Sequence, residues 1–328
     1  MPITPESVPR SAAPPARRFP IVLMGGGARR ALGLAAENGR ETEGRVLAVF
    51  RRSFYLEMKG LVCIGPPALG AGPLNAVCAL PNGIDWGADG LRPGERARRA
   101  GASLTVGGRF AFSASGAQVW RPPPPPRERR PETLSRALAA LAEEAARRGP
   151  AEGFAPLIPD FVGESPGPGG MKTGPFLRAA ARGSAALIRW LENAAEGGEV
   201  PAPPEEAEIL IGLGPGLTPS GDDFIGGAMV ALWALGLDSL AERLAGWALP
   251  LAGKRTGLIS RAHLECAAKG EGAGALHEAI AAMCGPSGAD VAGCVDALGA
   301  IGHTSGWDAL AGVSAVCGIA RAYFSDRL

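Results

Sequence analysis

The residues with the clearest chemical potential lie in one segment, 211–223, which reads IGLGPGLTPSGDD. It contains three alternating glycines and a Thr-Pro step: Gly212, Gly214, Gly216, Thr218 and Pro219. Glycine permits positive φ angles and close backbone approach, and Thr-Pro is typical of an N-cap followed by the first helical residue. A helix start exposes unpaired N–H groups and about half a unit of positive charge, so these amides could bind a small anion. The alternative, a tight turn in which Asp222 and Asp223 complement the helix dipole, stays open.

A second segment repeats the pattern of the first. Residues 220–227 read SGDDFIGG and residues 305–312 read SGWDALAG, so both fit S-G-x-D-x-[I/L]-[A/G]-G. Asp223 and Asp308 occupy equivalent positions, and each motif opens an apolar run that predicts a helix. Two helix starts carrying Ser, Gly and Asp could therefore face one cleft. Chance similarity in a chain rich in Gly and Ala is the competing explanation.

Other polar residues stand near these motifs. His303 precedes the second motif, where it could carry a proton or simply cap the helix. Ser260 and His263 share one face of a predicted helix, so both could point at a cleft. Asn75 ends a loop rich in Gly and Pro that either closes over a ligand or connects two strands, and the connector is slightly favoured. His277 is expected to be exposed.

These observations assign a candidate site. The catalytic candidates are two carboxylates and a histidine: Asp223, Asp308 and His303. The ligand-binding candidates are loop amides, hydroxyls and neighbouring polar groups: Gly214, Gly216, Thr218, Ser220, Gly221, Asp222, Thr304, Ser305, Gly306, Ser260 and Asn75. No metal is expected, because His263 has no second histidine at ligand spacing, although magnesium on Asp222 and Asp223 stays an alternative. No cofactor is expected, because the glycine segment is neither a Walker loop nor G-x-G-x-x-G.

The chain divides into a β-rich part and a helical part. Residues 1–20 are rich in Pro, Ala and Arg and are expected to be disordered. Short β-type runs within 21–121 predict a mostly antiparallel β domain, with Gly107-Gly108 as a hairpin turn. The prolines at 122–126 separate it from a mainly helical ligand-binding domain, 131–328. The predicted strands are 44–50, 53–58, 61–64, 75–80, 103–106, 110–113 and 116–120.

Within the helical part, the glycine-rich segment is predicted to form a strand-loop-helix element. A strand at 207–213 would lead into the loop, and the helix would run over 219–235 and end before Gly236. The expected fold class is therefore α+β, with an antiparallel β domain followed by a helical domain. The other predicted helices are 131–148, 176–196, 239–249, 257–269, 274–284, 288–299 and 307–324.

Composition and charge exclude several classes of function. The 33 Lys and Arg residues balance 32 Asp and Glu, the formal net charge is +1, and no basic stripe predicts nucleic-acid binding. Apolar runs such as 224–237 are too short to span a bilayer, which takes about 20 residues, and the first residues lack an apolar signal region. The six cysteines form no C-x-x-C pair, which favours buried, reduced thiols. The expected location is the cytoplasm.

The motifs resemble a known family. GLGPGLTPSGDDFIGG at 212–227, TGLISRAHL at 256–264 and GHTSGWDALAG at 302–312 occur in the order and at the intervals seen in the AllH-like family. The resemblance runs from about residue 44 to the C-terminus. It implies partner subunits and a role in oxamate carbamoyltransferase, which interconverts oxalurate plus phosphate with oxamate plus carbamoyl phosphate in anaerobic allantoin breakdown. The S-T-R-T-R phosphate motif of classical transcarbamoylases is absent from the sequence, so carbamoyl phosphate would be held differently.

Two functions are consistent with these features. The first is an enzyme subunit of the carbamoyltransferase type that acts on a small anionic substrate, an amide or carboxylate such as oxamate. The second is a non-catalytic subunit that binds a metabolite or serves as a scaffold in a complex, which the low number of strong catalytic side chains favours. Assembly as a homo-oligomer stays open.

Overall fold

The computed structural model describes residues 16–34, 41–81, 83–127, 129–163, 174–196, 203–285 and 291–325. It shows a β-rich part followed by a helical part, which confirms the predicted α+β fold class. Among the described residues, no helix is long and apolar enough to cross a membrane.

The described residues of the β-rich part form nine strands: β1 (Arg17–Gly25), β2 (Thr42–Val49), β3 (Phe54–Glu57), β4 (Leu61–Gly65), β5 (Asn75–Cys78), β6 (Arg96–Ala100), β7 (Ser103–Val106), β8 (Phe110–Ser113) and β9 (Gln118–Trp120). Their order is β5-β4-β3-β2-β6-β7-β8-β1-β9, and β1 also pairs with β5, so the first eight strands close into a ring. Most neighbours are antiparallel, but β1 runs parallel to β8 and β9, and β4 runs parallel to β5. A short helix, α1 (Gly26–Ala31), follows β1.

Aromatic rings fill the interior of this β ring. Phe54, Trp86 and Phe112 are at most 1% exposed, and the rings of Phe54 and Trp86 meet edge to face with centroids 4.9 Å apart. Leu104 of β7 pairs with Phe112 of β8. The hairpin between these strands turns at Gly107-Gly108, where both φ angles are positive, as the sequence predicts.

Nine further helices form the described helical part: α2 (Pro131–Arg148), α3 (Ile158–Phe161), α4 (Pro175–Ala195), α5 (Ser220–Ala234), α6 (Asp238–Arg255), α7 (Leu258–Ala267), α8 (Gly274–Cys284), α9 (Val291–Gly299) and α10 (Ser305–Ser325). Most residues of α5 and of α10 are buried, so these two helices lie at the centre. Each begins with one of the two S-G-x-D motifs, 220–227 and 305–312, which we call the paired motifs.

Helices α5 and α10 cross at two glycines. A Cβ atom on Gly227 would lie 2.0 Å from the carbonyl oxygen of Ala309, and one on Gly312 would lie 2.0 Å from that of Phe224. The two glycines are equivalent within the paired motifs, and so are Phe224 and Ala309. Because the contact is reciprocal, the paired motifs occupy equivalent positions where the two helices cross.

The β ring is fixed against the helices by apolar and backbone contacts. Leu61 and Leu74 of the ring pack with Ile259 of α7 in one buried cluster. The N–H of Gly274, the first residue of α8, donates to the carbonyl oxygen of Ala71 at 2.8 Å. These contacts hold the loop 65–75 against the start of α8.

Two strands lie where the sequence predicts none. β1 begins at Arg17, so the expectation of disorder over 1–20 is wrong for its last residues, while 1–15 lie outside the described residues. β6 reads RARRA, and its Arg99 is only 4% exposed because its guanidinium donates to the carbonyl of Leu32 at 2.8 Å and to Thr42 Oγ1 at 2.9 Å. Arginine-rich composition conceals β6, and β1 begins within the Pro- and Arg-rich segment that is expected to be disordered.

The predicted strand before the glycine loop is also wrong. A 3-10 helix, Glu205–Leu210, occupies this position and ends in a turn. Helix α5 starts at Ser220 with Pro219 as its N-cap residue, and no side chain caps it. The sequence predicts Thr218 as the N-cap residue, and this prediction is wrong.

His277 is buried, whereas the sequence predicts an exposed side chain. It is 6% exposed, its Nε2 accepts the N–H of Gly272 at 3.2 Å, and its ring centroid lies 6.0 Å from that of Trp120. Burial lowers the pKa of His277 to about 4, because the imidazolium ion would lose its hydration.

We expect the replacement His277→Gln to reduce the acid sensitivity of the fold. Since the folded pKa lies below the unfolded one, the unfolded chain binds more protons as the pH falls from about 6.5 to about 4, and folding loses stability over that window. Between about pH 7 and about pH 5, the wild type should lose about 2 kcal/mol more than the variant in urea unfolding. His303→Gln, at an exposed histidine, is the control and should match the wild type. Equal losses in wild type and His277→Gln would contradict the assignment.

Candidate functional site

A cavity of about 1180 Å³ lies between the β ring and the helices. Its walls come from β3, the loop 65–75, the segment 151–153, the loop before α5, and helices α5, α7, α8 and α10. Most predicted site residues line it: Gly216, Thr218, Ser220, Asp222, Asp223, Ser260, His303, Thr304, Ser305, Gly306 and Asn75. Gly214, Gly221 and Asp308 do not line it.

The paired motifs meet at this cavity and exchange partners. The hydroxyl of Ser305, in the second motif, lies beside Asp223 of the first and lowers the pKa of that carboxyl. The hydroxyl of Ser220, in the first motif, lies beside Asp308 of the second and lowers its pKa in the same way. Thr218 Oγ1 lies 3.1 Å from Ser305 Oγ, which adds a further hydroxyl beside Asp223. Each aspartate is therefore held by the start of the other helix.

Asp223 faces the cavity with an unused acceptor. It is half-buried, and its Oδ2 atom is shielded from solvent and accepts no hydrogen bond within the described part of the chain. Burial raises the pKa of Asp223 well above its ordinary value and the charge of Asp308 adds to the rise, while the hydroxyls of Ser305 and Thr218 oppose it. A shielded carboxyl of this kind is suited to accept a proton or an N–H donor from a ligand.

Asp308 lies behind the cavity wall. It is 0% exposed, and its Oδ1 accepts the N–H of Phe154 at 2.7 Å. Burial raises the pKa of Asp308, against the opposing hydrogen bonds from Phe154, Thr304 and Ser220. The two aspartates that are equivalent in sequence therefore differ in access to a ligand.

Asp222 is fully engaged inside the protein. It is 2% exposed, and its Oδ1 accepts the N–H of Gly212 at 2.8 Å. Its Oδ2 accepts the hydroxyl of Ser260 at 2.6 Å and that of Thr256. Among the described residues, no three His, Cys, Asp or Glu side chains group together to hold a metal ion. The geometry gives Asp222 the role of tying the glycine loop to α7.

The start of α5 offers few free donors. The N–H of Gly221 donates to the carbonyl of Leu213 at 2.9 Å, and those of Asp222 and Asp223 donate to the carbonyl of Pro219. The loop glycines do adopt positive φ angles, which confirms that part of the prediction: Gly212, Gly214 and Gly216. The N–H groups of Gly221, Asp222 and Asp223 are thus used within the chain.

Two of the predicted site residues, His303 and Asn75, line the cavity, and the polar groups of both contact other residues of the chain. The His303 side chain is 82% exposed, and its Nε2 lies 2.8 Å from a carboxylate oxygen of Glu152. The amide of Asn75 donates to the carbonyl oxygens of Leu69 and Gly70, at 3.3 and 3.1 Å. Asn75 therefore shapes the loop 65–75, which connects β4 to β5 and also lines the cavity.

The β ring supplies cavity residues that sequence reasoning missed. The Tyr55 hydroxyl lies 3.3 Å from His263 Nε2, and Cys63 lines the cavity beside it. Burial lowers the pKa of His263 to about 4 and raises that of the Cys63 thiol to about 12, so both are neutral near pH 7. No sequence signal marks Tyr55, because it reads as an ordinary strand residue.

Two arginines of the loop between β2 and β3 also line the cavity. Arg51 and Arg52 are exposed, and their carbonyl oxygens each accept a hydrogen bond from Trp86, one from its backbone N–H and one from its indole, both at 3.0 Å. Trp86 is fixed in the core of the ring, so this loop has a defined position. Arg51 and Arg52 therefore line the cavity on the side of the β ring, and Asp223 lines it on the helical side.

The fold and the cavity define an α+β protein with a cavity between a β ring and a group of helices. Residues 210–317 match the model of one family, described as oxamate carbamoyltransferase subunit AllH. This match covers both paired motifs and confirms the resemblance over that range. No solved structure gives a significant match to the chain.

Proposed function

We propose that this chain is a subunit of a carbamoyltransferase-type enzyme and that its cavity binds a small amide carrying a carboxylate, such as oxamate. The description of the matching family, a subunit of oxamate carbamoyltransferase, supports the reaction class and the presence of partner subunits. The observation that carries the proposal for the site is the shielded Oδ2 atom of Asp223, which has no donor among the described residues.

An amide group would satisfy Asp223. A shielded carboxylate oxygen without a donor costs free energy, and an N–H of the ligand removes that cost. In the proposed reaction the amide nitrogen attacks the carbonyl carbon of carbamoyl phosphate, the bond from that carbon to the phosphate oxygen breaks, and phosphate leaves. The nitrogen loses a proton, which Asp223 accepts, because a carboxylate with a raised pKa is a stronger base.

The negative end of the ligand has partners on the opposite side of the cavity. Guanidinium groups form paired, charge-assisted hydrogen bonds with carboxylate and phosphate oxygens. Arg51 and Arg52 are held at the cavity by the anchored loop between β2 and β3. They are the anion partners in this proposal, because the N–H groups of Gly221, Asp222 and Asp223 at the helix start are used within the chain.

The second candidate is a subunit that binds a metabolite while a partner performs the chemistry. The state of the cavity side chains favours it: His263 is neutral with a pKa of about 4, and the Cys63 thiol has a pKa of about 12. Neither side chain is therefore activated as a proton carrier or nucleophile near pH 7. The two candidates share the ligand and differ in whether Asp223 takes part in turnover.

Asp223→Asn distinguishes these candidates. Asparagine keeps the size of the side chain but cannot take the proton, so turnover of the assembled complex should fall at least about 100-fold. Oxamate binding to the isolated subunit, measured by calorimetry, should change by less than about tenfold. Unchanged turnover in the complex would favour the binding subunit over the enzyme.

Arg51→Ala tests the anionic end of the ligand. Loss of a charge-assisted hydrogen bond should weaken oxamate binding about tenfold or more. Arg136→Ala, on the exposed face of α2 and outside the cavity, is the matched control and should bind like the wild type. Absence of oxamate and carbamoyl phosphate binding to the wild type and to its complex would overturn the proposed ligand.

A further inference from the structure

We infer that Asp308 is a positioning residue: its buried carboxyl joins three segments of the cavity wall and thereby holds Asp223 in place. The three segments are 151–154, the start of α5 and the start of α10. The role in ligand binding rests on the proposed function, whereas the role in fixing the wall does not.

The first contact of Asp308 is with the segment 151–154. Its Oδ1 accepts the N–H of Phe154 at 2.7 Å. Gly153 has a φ of +70°, and a Cβ atom there would lie 2.3 Å from the same oxygen, so only glycine allows this approach. Ala151, Glu152 and Gly153 line the cavity, so this contact sets the position of one wall.

The same contact reaches Asp223 through two aromatic rings. The Phe154 ring stacks on that of Phe224, with centroids 4.8 Å apart and an angle of 19° between the planes. Phe224 follows Asp223 directly in α5, and both rings are at most 1% exposed. A shift of Phe154 would therefore move the first turn of α5, because tightly packed rings transmit displacement.

The second contact of Asp308 is with the hydroxyls at the two helix starts. Ser220 opens α5 and Thr304 precedes α10, and both line the cavity with hydroxyls that lie beside Asp308 and oppose the rise in its pKa. Asp308 thus links the α5 start to the α10 start, as the hydroxyl of Ser305 does from the other side through Asp223. The two carboxyls therefore differ in position: Asp223 lines the cavity, whereas Asp308 lies behind the wall and holds it through its Oδ1 atom, while its Oδ2 atom accepts no hydrogen bond among the described residues.

Local hydrogen exchange and oxamate titration of the full chain test this inference. Asp308→Ala should raise the exchange rate of the Phe154 amide at least about tenfold and weaken oxamate binding by a similar factor, since one buried hydrogen bond is lost. Asp308→Asn keeps an acceptor oxygen, so both quantities should stay within about threefold of the wild type. Ser314→Ala is the control, because the buried Ser314 hydroxyl donates only to Ala311 within α10.

Gly153→Ala tests the same contact with Asp308 intact. The added methyl group would push the segment 151–154 away from the carboxyl, so it should reproduce the effects of Asp308→Ala even where that variant folds poorly. Unchanged exchange at Phe154 in both variants would overturn the inference. Equal loss of oxamate binding in Asp308→Asn and Asp308→Ala would also overturn it, since Asp308 would then act through its charge. If the wild type binds no oxamate, the proposed ligand fails and the exchange rates alone decide.

Discussion

Gly312→Ala is expected to lower the free energy of unfolding by about 3 kcal/mol or more. The new Cβ atom would lie 2.0 Å from the carbonyl oxygen of Phe224 and 2.8 Å from the backbone nitrogen of Ala228. Backbone atoms cannot rotate away as a side chain can, so α5 and α10 must separate. Gly227→Ala should behave in the same way, because its Cβ atom would meet the carbonyl of Ala309. Urea unfolding followed by circular dichroism measures both effects.

Gly246→Ala is the matched control for these variants. Gly246 lies inside α6, and a Cβ atom there would meet no atom within 4 Å. Alanine should therefore stabilise that helix by up to about 1 kcal/mol. If Gly312→Ala were as stable as Gly246→Ala, the helices would not be in close contact at this point. Separation of α5 and α10 would also move Asp223 away from Ser305, so weaker oxamate binding should accompany the loss of stability.

The paired motifs were accessible from the sequence because their information is local. S-G-x-D at a helix start, with a second glycine one and a half turns later, is a pattern within eight residues. Its repetition predicts two helix starts of the same kind, and the crossing at Gly227 and Gly312 shows why the glycines recur. Helix periodicity predicted both ends of α2 correctly, because this helix is amphipathic and its apolar stripe, which includes Leu134 and Leu141, is buried.

Strands that carry arginine were not accessible in the same way. β6 alternates between buried and exposed residues, but the buried positions hold Ala97 and Arg99, which give no apolar signal. Arg99 is accommodated because Leu32 and Thr42 supply acceptors, and those partners lie more than 50 residues away. A sequence pattern describes one segment, whereas this burial depends on a distant one.

The different roles of the three aspartates could not be predicted from the sequence for the same reason. Asp222 and Asp223 are neighbours in sequence, and Asp223 and Asp308 are equivalent in the motifs, yet all three have different surroundings. Only the fold brings Phe154 to Asp308, across 154 positions, and Tyr55 to His263, across 208 positions. Cavity residues of the β ring therefore become visible only when the ring is placed against α7 and α8.

Asp222→Ala is expected to cost about 3 to 5 kcal/mol of unfolding free energy. The variant would leave the N–H of Gly212 and the hydroxyls of Thr256 and Ser260 without their acceptor. The loop before α5 would then lose its tie to α7, because all these bonds converge on one carboxylate. Thermal and urea unfolding should both show the loss, and a loss below about 1 kcal/mol would contradict the structural role.

Asp223→Asn, one residue further along, should not lower the free energy of unfolding as Asp222→Ala does. Because burial raises the pKa of Asp223 above its unfolded value, the native state binds this proton more tightly than the unfolded chain does, and folding loses stability as the pH rises above the unfolded value. Removing this charge should leave stability near pH 7 unchanged or raise it by about 1 kcal/mol. If Asp223 serves the ligand, its carboxyl should lower the stability of the fold, whereas the neighbouring Asp222 should raise it. If Asp223→Asn destabilised the fold as Asp222→Ala does, Asp223 would be a structural residue and the proposed site would lose its central group.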